Sequence, residues 1–131
     1  MSLFRIVYVS DAVGLLPLID IIGASDRNNR RDHLSGVLMR HEGRFFQAVE
    51  GARVDLDRLM ARLRADRRHV NIRILVDAPI AQRLFADWSM AQVDMPSALA
   101  SLLSGSMSDP LIADQIDQIL IDASRAMAAT A

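Results

Sequence analysis

One tyrosine and one glutamine stand in strand-like surroundings in this 131-residue chain. Tyr8, the only tyrosine, lies in Leu3-Phe4-Arg5-Ile6-Val7-Tyr8-Val9-Ser10. Gln47 lies in Arg44-Phe45-Phe46-Gln47-Ala48-Val49-Glu50, flanked at the same-face positions by Phe45 and Val49. A buried amide or phenol needs a partner, because leaving it unpaired costs about 1–3 kcal/mol. A structural Tyr–Gln hydrogen bond in the core explains both residues as they stand. Other residue types could meet a ligand. Ser25, Asn28 and Asn29 form a polar run, and an asparagine donates and accepts at once, as an amide-like ligand edge demands. The same run also suits a helix C-terminus and turn. Asp66-Arg67-Arg68-His69 reads either as a solvated helix end complementing the dipole or as a grip on a phosphate. Arg62 borders an apolar helix stripe and can cover the core with its stem. Trp88, the only tryptophan, and Met90 read by themselves as plain core.

Absences narrow the chemistry. There is no cysteine, which excludes disulfides, thiolate nucleophiles and thiolate-bound metals. There is no lysine, since all 15 basic residues are arginine, which excludes Schiff bases and a P-loop. His33, His41 and His69 are scattered without metal-ligand spacing, so no metal site is expected. A net charge of −1 argues against a general nucleic-acid binder. Apolar runs are too short for a membrane span, and the first residues lack the pattern of a secretory signal. The expected compartment is the cytoplasm.

These residues must be positioned by a small α+β domain. Residues 3–10, 34–40, 44–50, 70–76 and 84–93 read as strands. On the first, Phe4, Ile6, Tyr8 and Ser10 share a face by the period of two. On the third, Phe45, Gln47 and Val49 oppose Phe46 and Ala48. On the fifth, Trp88 and Met90 fall on one face. Leu15, Leu18, Ile19 and Ile22 recur at helical spacing, with Pro17 placing the helix start near Leu16. Residues 54–65 form a second helix. The order β-α-β-β-α-β-β matches the ferredoxin-like split βαβ pattern, with two helices on one face. In that pattern the first and third strands are central neighbours, so Tyr8 and Gln47 can meet. A short helix over 97–103 and a last helix after Asp109-Pro110 follow. The last has an apolar stripe of Ile112, Ile116, Ile119, Leu120 and Ala123, which must pack on the sheet, a second copy or a partner. The expected division is residues 1–95 as the ligand-binding domain and 96–131 as a helical extension.

Taken in order, these pieces resemble the BLUF family of blue-light receptors that use flavin. The resemblance runs from the Tyr8 strand through Ser25-x-Arg27-Asn28-Asn29, Leu34-Ser35-Gly36-Val37-Leu38 and Gly43-Arg44-Phe45-Phe46-Gln47-Ala48-Val49-Glu50-Gly51. It continues through Asp66-Arg67-Arg68-His69 to Phe85-Ala86-Asp87-Trp88-Ser89-Met90. Each piece is weak alone, and the ordered set is specific. The C-terminal stretch resembles the two helices of short, single-domain members. Three departures stand out. Ser35 replaces a more usual threonine, the stretch between Tyr8 and Asn29 is about three residues shorter than in many members, and His33 takes the place of a frequent glycine.

The resemblance implies a flavin held non-covalently between the first two helices: FAD, with FMN or riboflavin as alternatives. It implies Tyr8 as photochemical electron donor and Gln47 as the switching amide. Asn29 would hold the ring's polar edge with Asn28 and Ser25 nearby. Ile21 would belong to the apolar wall, and Arg62 would reach the flavin. Asp66, Arg68 and His69 would mark the ribityl and phosphate end. Trp88 and Met90 would respond to Gln47. A tyrosine gives an electron and then its phenolic proton, the glutamine relays it and returns rearranged, and the flavin absorption shifts slightly red. No cysteine is needed, whereas the LOV domain's adduct requires one. The chain is thus expected to be a sensor rather than an enzyme. No output domain fits within 131 residues, so the signal is expected to leave through a surface, to a separate protein, from a homo-oligomer. The alternatives are a light-inert flavin or small-molecule binder, a structural module, and an acylphosphatase-like hydrolase. The last needs a phosphate-cradling loop after the first strand, which Ser10-Asp11-Ala12-Val13-Gly14 does not supply.

Overall fold

The computed structural model describes residues 2–12, 27–41, 43–65, 69–93, 95–104 and 112–130. Strands β1 (Leu3–Ala12), β2 (Ser35–His41), β3 (Arg44–Gly51), β4 (His69–Ile80) and the two-residue β5 (Ala91–Gln92) form one sheet. Their order is β4-β1-β3-β2-β5. Neighbours among the first four run antiparallel, and β5 joins β2 in parallel. Helical residues 27–31 (α1) precede β2, and α2 (Arg53–Ala65) links β3 to β4. The helices α3 (Ser97–Ser104) and α4 (Ile112–Thr130) close the chain. This is the expected ferredoxin-like α+β fold. The expected helix start near Leu16, with Leu15, Pro17, Leu18, Ile19 and Ile22, falls outside the described residues.

The period of two sorts the core into two layers. On one face Ile6, Tyr8, Phe45 and Val49 meet Leu56 and Met60 of α2. On the other, Val7, Val9, Phe46 and Ala48 meet Ile116 and Leu120 of α4. The apolar stripe of the last helix therefore finds its cover on the sheet itself. Ile119 and Ala123 complete that contact, and Leu99 of α3 is buried beside it. Both faces of the sheet are covered, which explains why β1 and β3 are apolar on both sides.

Two local features follow from backbone need. Gly43 adopts φ +76° in the β2–β3 hairpin, which a residue without a Cβ reaches at no cost. His33 adopts φ +56°, just before β2. That is the position where the family resemblance expects glycine, and histidine is among the side chains that tolerate this region. β4 is longer than expected and irregular. Its register against β1 shifts between Val7 and Tyr8 and again between Val9 and Asp11. Asn71 sits at the second shift with φ +55° and donates from Nδ2 to Asp11 at 3.0 Å.

The expected fifth strand over residues 84–93 is largely absent, and only Ala91–Gln92 pair. The backbone donors before them are engaged elsewhere. Leu84 N–H and Phe85 N–H donate to the Glu50 carboxylate at 2.8 and 2.9 Å. Trp88 N–H donates to Phe85 O at 3.0 Å, closing a turn. Without extended backbone the alternation of faces fails, and so does the expectation that Trp88 and Met90 share a face. Trp88 packs with the α4-side cluster, and Met90 with the Tyr8-side cluster.

Gly36 lies where β2 passes closest to β3. A Cβ there would stand 2.2 Å from the Ala48 carbonyl oxygen, which is backbone and cannot yield cheaply. At Gly51 the nearest obstacle, at 2.4 Å, is the end of the Leu34 side chain. Gly36→Ala is expected to destabilise the fold by about 1–3 kcal/mol in urea unfolding, and Gly51→Ala by clearly less. Equal losses would contradict this assignment of the tight contact.

Candidate functional site

The β1–β3 register sets Tyr8 directly opposite Gln47. Opposed residues of an antiparallel pair project from the same face with Cβ atoms about 5 Å apart. Both are buried, Tyr8 completely. The sheet thus brings together the two groups that the sequence singled out. On its other side Gln47 faces Leu38 of β2 in the same row. Gln47 Nε2 donates to Met90 Sδ at 3.6 Å. A thioether sulfur is a weak acceptor, so the amide loses little when it leaves that partner.

The end of α1 supplies the polar groups. Asn29 is buried, and its Nδ2 donates to the Ser89 carbonyl. That bond fixes the amide so that Oδ1 is left as a buried acceptor, with no hydrogen-bond partner among the described residues. Arg62 Nη1 reaches Asp32 Oδ2 at 2.9 Å, tying α2 to the end of α1. Its Nε and Nη2 are buried donors, also without a hydrogen-bond partner among the described residues. Arg31 lies 3.2 Å from the Asp32 carboxylate and Arg58 lies 3.7 Å from it. The hydrogen bond from Arg31, and next that from Arg62, hold the Asp32 carboxyl below the ordinary carboxylate range against the opposing pull of burial.

A buried acceptor and two buried donors want a ligand edge that carries both N–H and carbonyl groups. The pyrimidine edge of a flavin ring is such an edge, so the residues present fit that cofactor. A cleft of about 620 Å³ borders Asn29 and Ser89, with Arg30, His33, Arg83 and Asp87 along it. Its charged lining suits solvent rather than an apolar ring. Among the described residues no group of three His, Asp or Glu side chains could hold a metal ion, and no helix is long and apolar enough to cross a membrane.

Other expected site residues are less completely placed. Asn28 is half-buried, and its carbonyl accepts from Asp32 N–H at 3.0 Å. His69 opens β4 opposite Ala12. Ile21, Ser25, Asp66 and Arg68 lie outside the described residues.

Sequence reasoning missed two carboxylates that organise the site. Asp32 positions Arg62. Glu50, completely buried, holds the segment that carries Ser89 and Met90. Glu50 had a readable signal, because it shares the face of Phe46 and Ala48, and a charge in an apolar strand face requires a buried partner. Arg5, on the matching face of β1 with Val7 and Val9, is that partner at 2.8 Å. Ser35 Oγ donates to the same carboxylate at 3.2 Å. The serine thus keeps in use the hydroxyl that threonine would supply.

Fold and site together define a ferredoxin-like domain with a buried tyrosine–glutamine pair and a polar cluster of Asn29, Asp32 and Arg62 at the end of α1. The family model described as BLUF, sensors of blue-light using FAD, matches residues 3–91, and the chain belongs to that family. It is 41% identical over 69 residues to the photoactivated adenylate cyclase subunit beta of Euglena gracilis. That match covers 53% of this chain and only 8% of the cyclase subunit. Over nearly full length the chain is similar to the dark-state structure of BlrB, a BLUF protein. The TM-score is 0.75 and the identity 29%, covering 99% of this chain and 98% of that one. It is also similar to BlsA in its photo-activated state, with a TM-score of 0.75 and 25% identity over 92% of this chain and 93% of that one.

Because the Asp32 carboxyl is held low, its ion pairs stabilise the fold above the ordinary carboxylate range. That contribution is lost as pH falls from the ordinary carboxylate range through the lowered folded value. Asp32→Asn is therefore expected to lower stability at neutral pH and to flatten the acid limb of a stability–pH curve, with little added loss at the acid end. Parallel curves for the two proteins would show that Asp32 is not so coupled.

Proposed function

We propose that this chain is a blue-light sensor that binds a flavin non-covalently, FAD by the family description. Its signal arises from light-driven release of an electron and a proton by Tyr8 and the consequent rearrangement of the Gln47 amide. The observation that carries this reading is Gln47 itself, buried opposite Tyr8 with its amide resting on a weak sulfur partner. A bound flavin supplies absorption of blue light and, once excited, an oxidant for a nearby phenol.

The chain's own residues do the rest. Asn29 Oδ1 would accept from the flavin's N–H, and Arg62 Nε and Nη2 would donate to one of its carbonyls. By the family resemblance Ile21, Ser25 and Asn28 would contribute to the ring's site, and Asp66, Arg68 and His69 to its ribityl and phosphate end. Tyr8 gives up its phenolic proton to the Gln47 amide oxygen. Gln47 then leaves Met90 Sδ, and as the electron comes back to Tyr8 the amide gives a proton back to the phenol oxygen and stays rotated or tautomerised. Its new hydrogen bond to a bound flavin would lower the excitation energy slightly and so give the red shift. The sheet shields these groups from water, so the proton stays within the pair.

In this reading residues 1–95 bind the flavin and 96–131 form a helical extension. The chain acts in the cytoplasm, as a homo-oligomer, on a separate partner protein. Met90, in contact with Gln47, and Trp88, on the far face, relay the change. The cyclase activity named for the Euglena relatives is no part of this reading.

Visible absorption before and just after blue light tests it. The purified protein is expected to show a flavin spectrum that shifts slightly red and recovers in the dark, while Gln47→Leu binds flavin without the shift. A normal shift in that variant would sink the mechanism. A static flavin spectrum in the native chain would leave a light-inert flavin binder, and colourless protein that takes up no added flavin a structural module.

A further inference from the structure

Glu50 lies on the face of the sheet opposite Tyr8 and Gln47. Its carboxylate is completely buried and accepts five hydrogen bonds. Arg5 donates from Nε at 3.0 Å and from Nη2 at 2.8 Å. Ser35 Oγ donates at 3.2 Å, and the backbone N–H groups of Leu84 and Phe85 at 2.8 and 2.9 Å. An ion pair alone would not need the last two. They anchor a segment that also meets the sheet through Arg83, which reaches Ser35 Oγ and the Glu50 carbonyl, through Gly36 N–H to Trp88 O at 2.9 Å, through Gln47 to Met90 Sδ, and in the short β5. Between Phe85 and Met90 this segment crosses the β2 edge from one face to the other. The carboxylate therefore sets where the crossing begins, and so where Met90 arrives beneath Gln47.

Arg5 also looks the other way. Its Nη1 lies 3.9 Å from Asp117 Oδ1 on α4. That oxygen is buried and has no hydrogen bond among the described residues, so the contact has room to tighten. The guanidinium is a rigid planar fork. A shift of Glu50 that turns the Nε–Nη2 edge must move Nη1 against Asp117.

We propose that Glu50 is the positioning residue that seats Met90 against Gln47, and that Arg5, shared between Glu50 and Asp117, carries displacement of that segment to α4. The proposal rests on the light-sensor reading above. It predicts a physical link from Gln47 through Met90, the 84–85 backbone, Glu50 and Arg5 to Asp117.

The test uses the full chain loaded with FAD, as the native protein, Glu50→Gln and Asp117→Asn. Three quantities are read: the light-induced red shift, its dark recovery time, and the light-dependent change in amide hydrogen exchange of α4. Asp117→Asn is expected to keep flavin content and red shift while the light response of α4 falls about threefold or more. Glu50→Gln, which leaves a backbone N–H without its acceptor, is expected to bind flavin with a dark recovery time changed about threefold or more. An α4 response in Asp117→Asn equal to that of the native chain overturns the link, and so does a native chain with a red shift but no α4 response. A Glu50→Gln recovery time within about twofold of native overturns the positioning role. Should Glu50→Gln fail to fold, Asp117→Asn decides, since its side chain is half-exposed and outside the core. A native chain that binds flavin and shows no red shift refutes the light-sensor reading instead, before any variant is made.

Discussion

A carboxylate with no access to water governs much of this fold. Removing the Glu50 charge from solvent is unfavourable by several kcal/mol in real proteins. The cost is offset by a cationic partner and three further donors drawn from β1, β2 and the segment after β4. Each of those donors in turn needs the carboxylate. An apolar residue at position 50 would avoid the desolvation cost but would strand the N–H groups of Leu84 and Phe85. Three parts of the chain that are far apart in sequence are therefore fixed by one group. Arg83 reinforces the same corner, donating to Ser35 Oγ at 3.0 Å and to the Glu50 carbonyl at 3.2 Å.

From that anchor the two faces of the sheet take different roles. The α2 face holds Tyr8, Gln47 and Met90 and ends in the polar cluster of Asn29, Asp32 and Arg62. The opposite face holds the Arg5–Glu50 pair beneath α4. The strands between are only one residue thick, so neighbouring residues of a single strand serve both faces. Val49 and Glu50 illustrate this: one packs in the Tyr8-side core and the next closes the ion pair. Among the described residues, the segment over residues 83–90 passes round the β2 edge from one face to the other.

Much of this was legible in the residues. Strict alternation in β1 and β3 assigned Tyr8 and Gln47 to one face, and the split βαβ order made those strands neighbours. The stripe of α4 named its buried side. What was not legible has a common cause. Residues 84–93 have the apolar and aromatic content of a strand, but their first donors are claimed by a side chain far away in sequence. No local pattern encodes that. For the same reason Trp88 and Met90 lie on opposite faces, which alternation does not foretell. Asp32 lies in a charged run, Arg30-Arg31-Asp32-His33, that looks solvated, and only the approach of α2 buries it. His33 stands where the family pattern often has glycine, and its positive φ shows what such a glycine serves.

The borders of the sheet have a consequence of their own. An open strand edge invites further strands, including those of other copies, and proteins blunt such edges by bulges, proline, charge or brevity. Both borders here are blunted. β4 carries two register shifts, a left-handed Asn71, Pro79 without an N–H, and the charged Arg73 and Asp77. Val70 and Ile74, 45% and 42% exposed, therefore lie along a border too irregular to template a straight ribbon. At the far side β5 offers two residues. Strand-by-strand growth into fibrils is disfavoured from either direction, which suits a chain whose central strands are apolar on both faces.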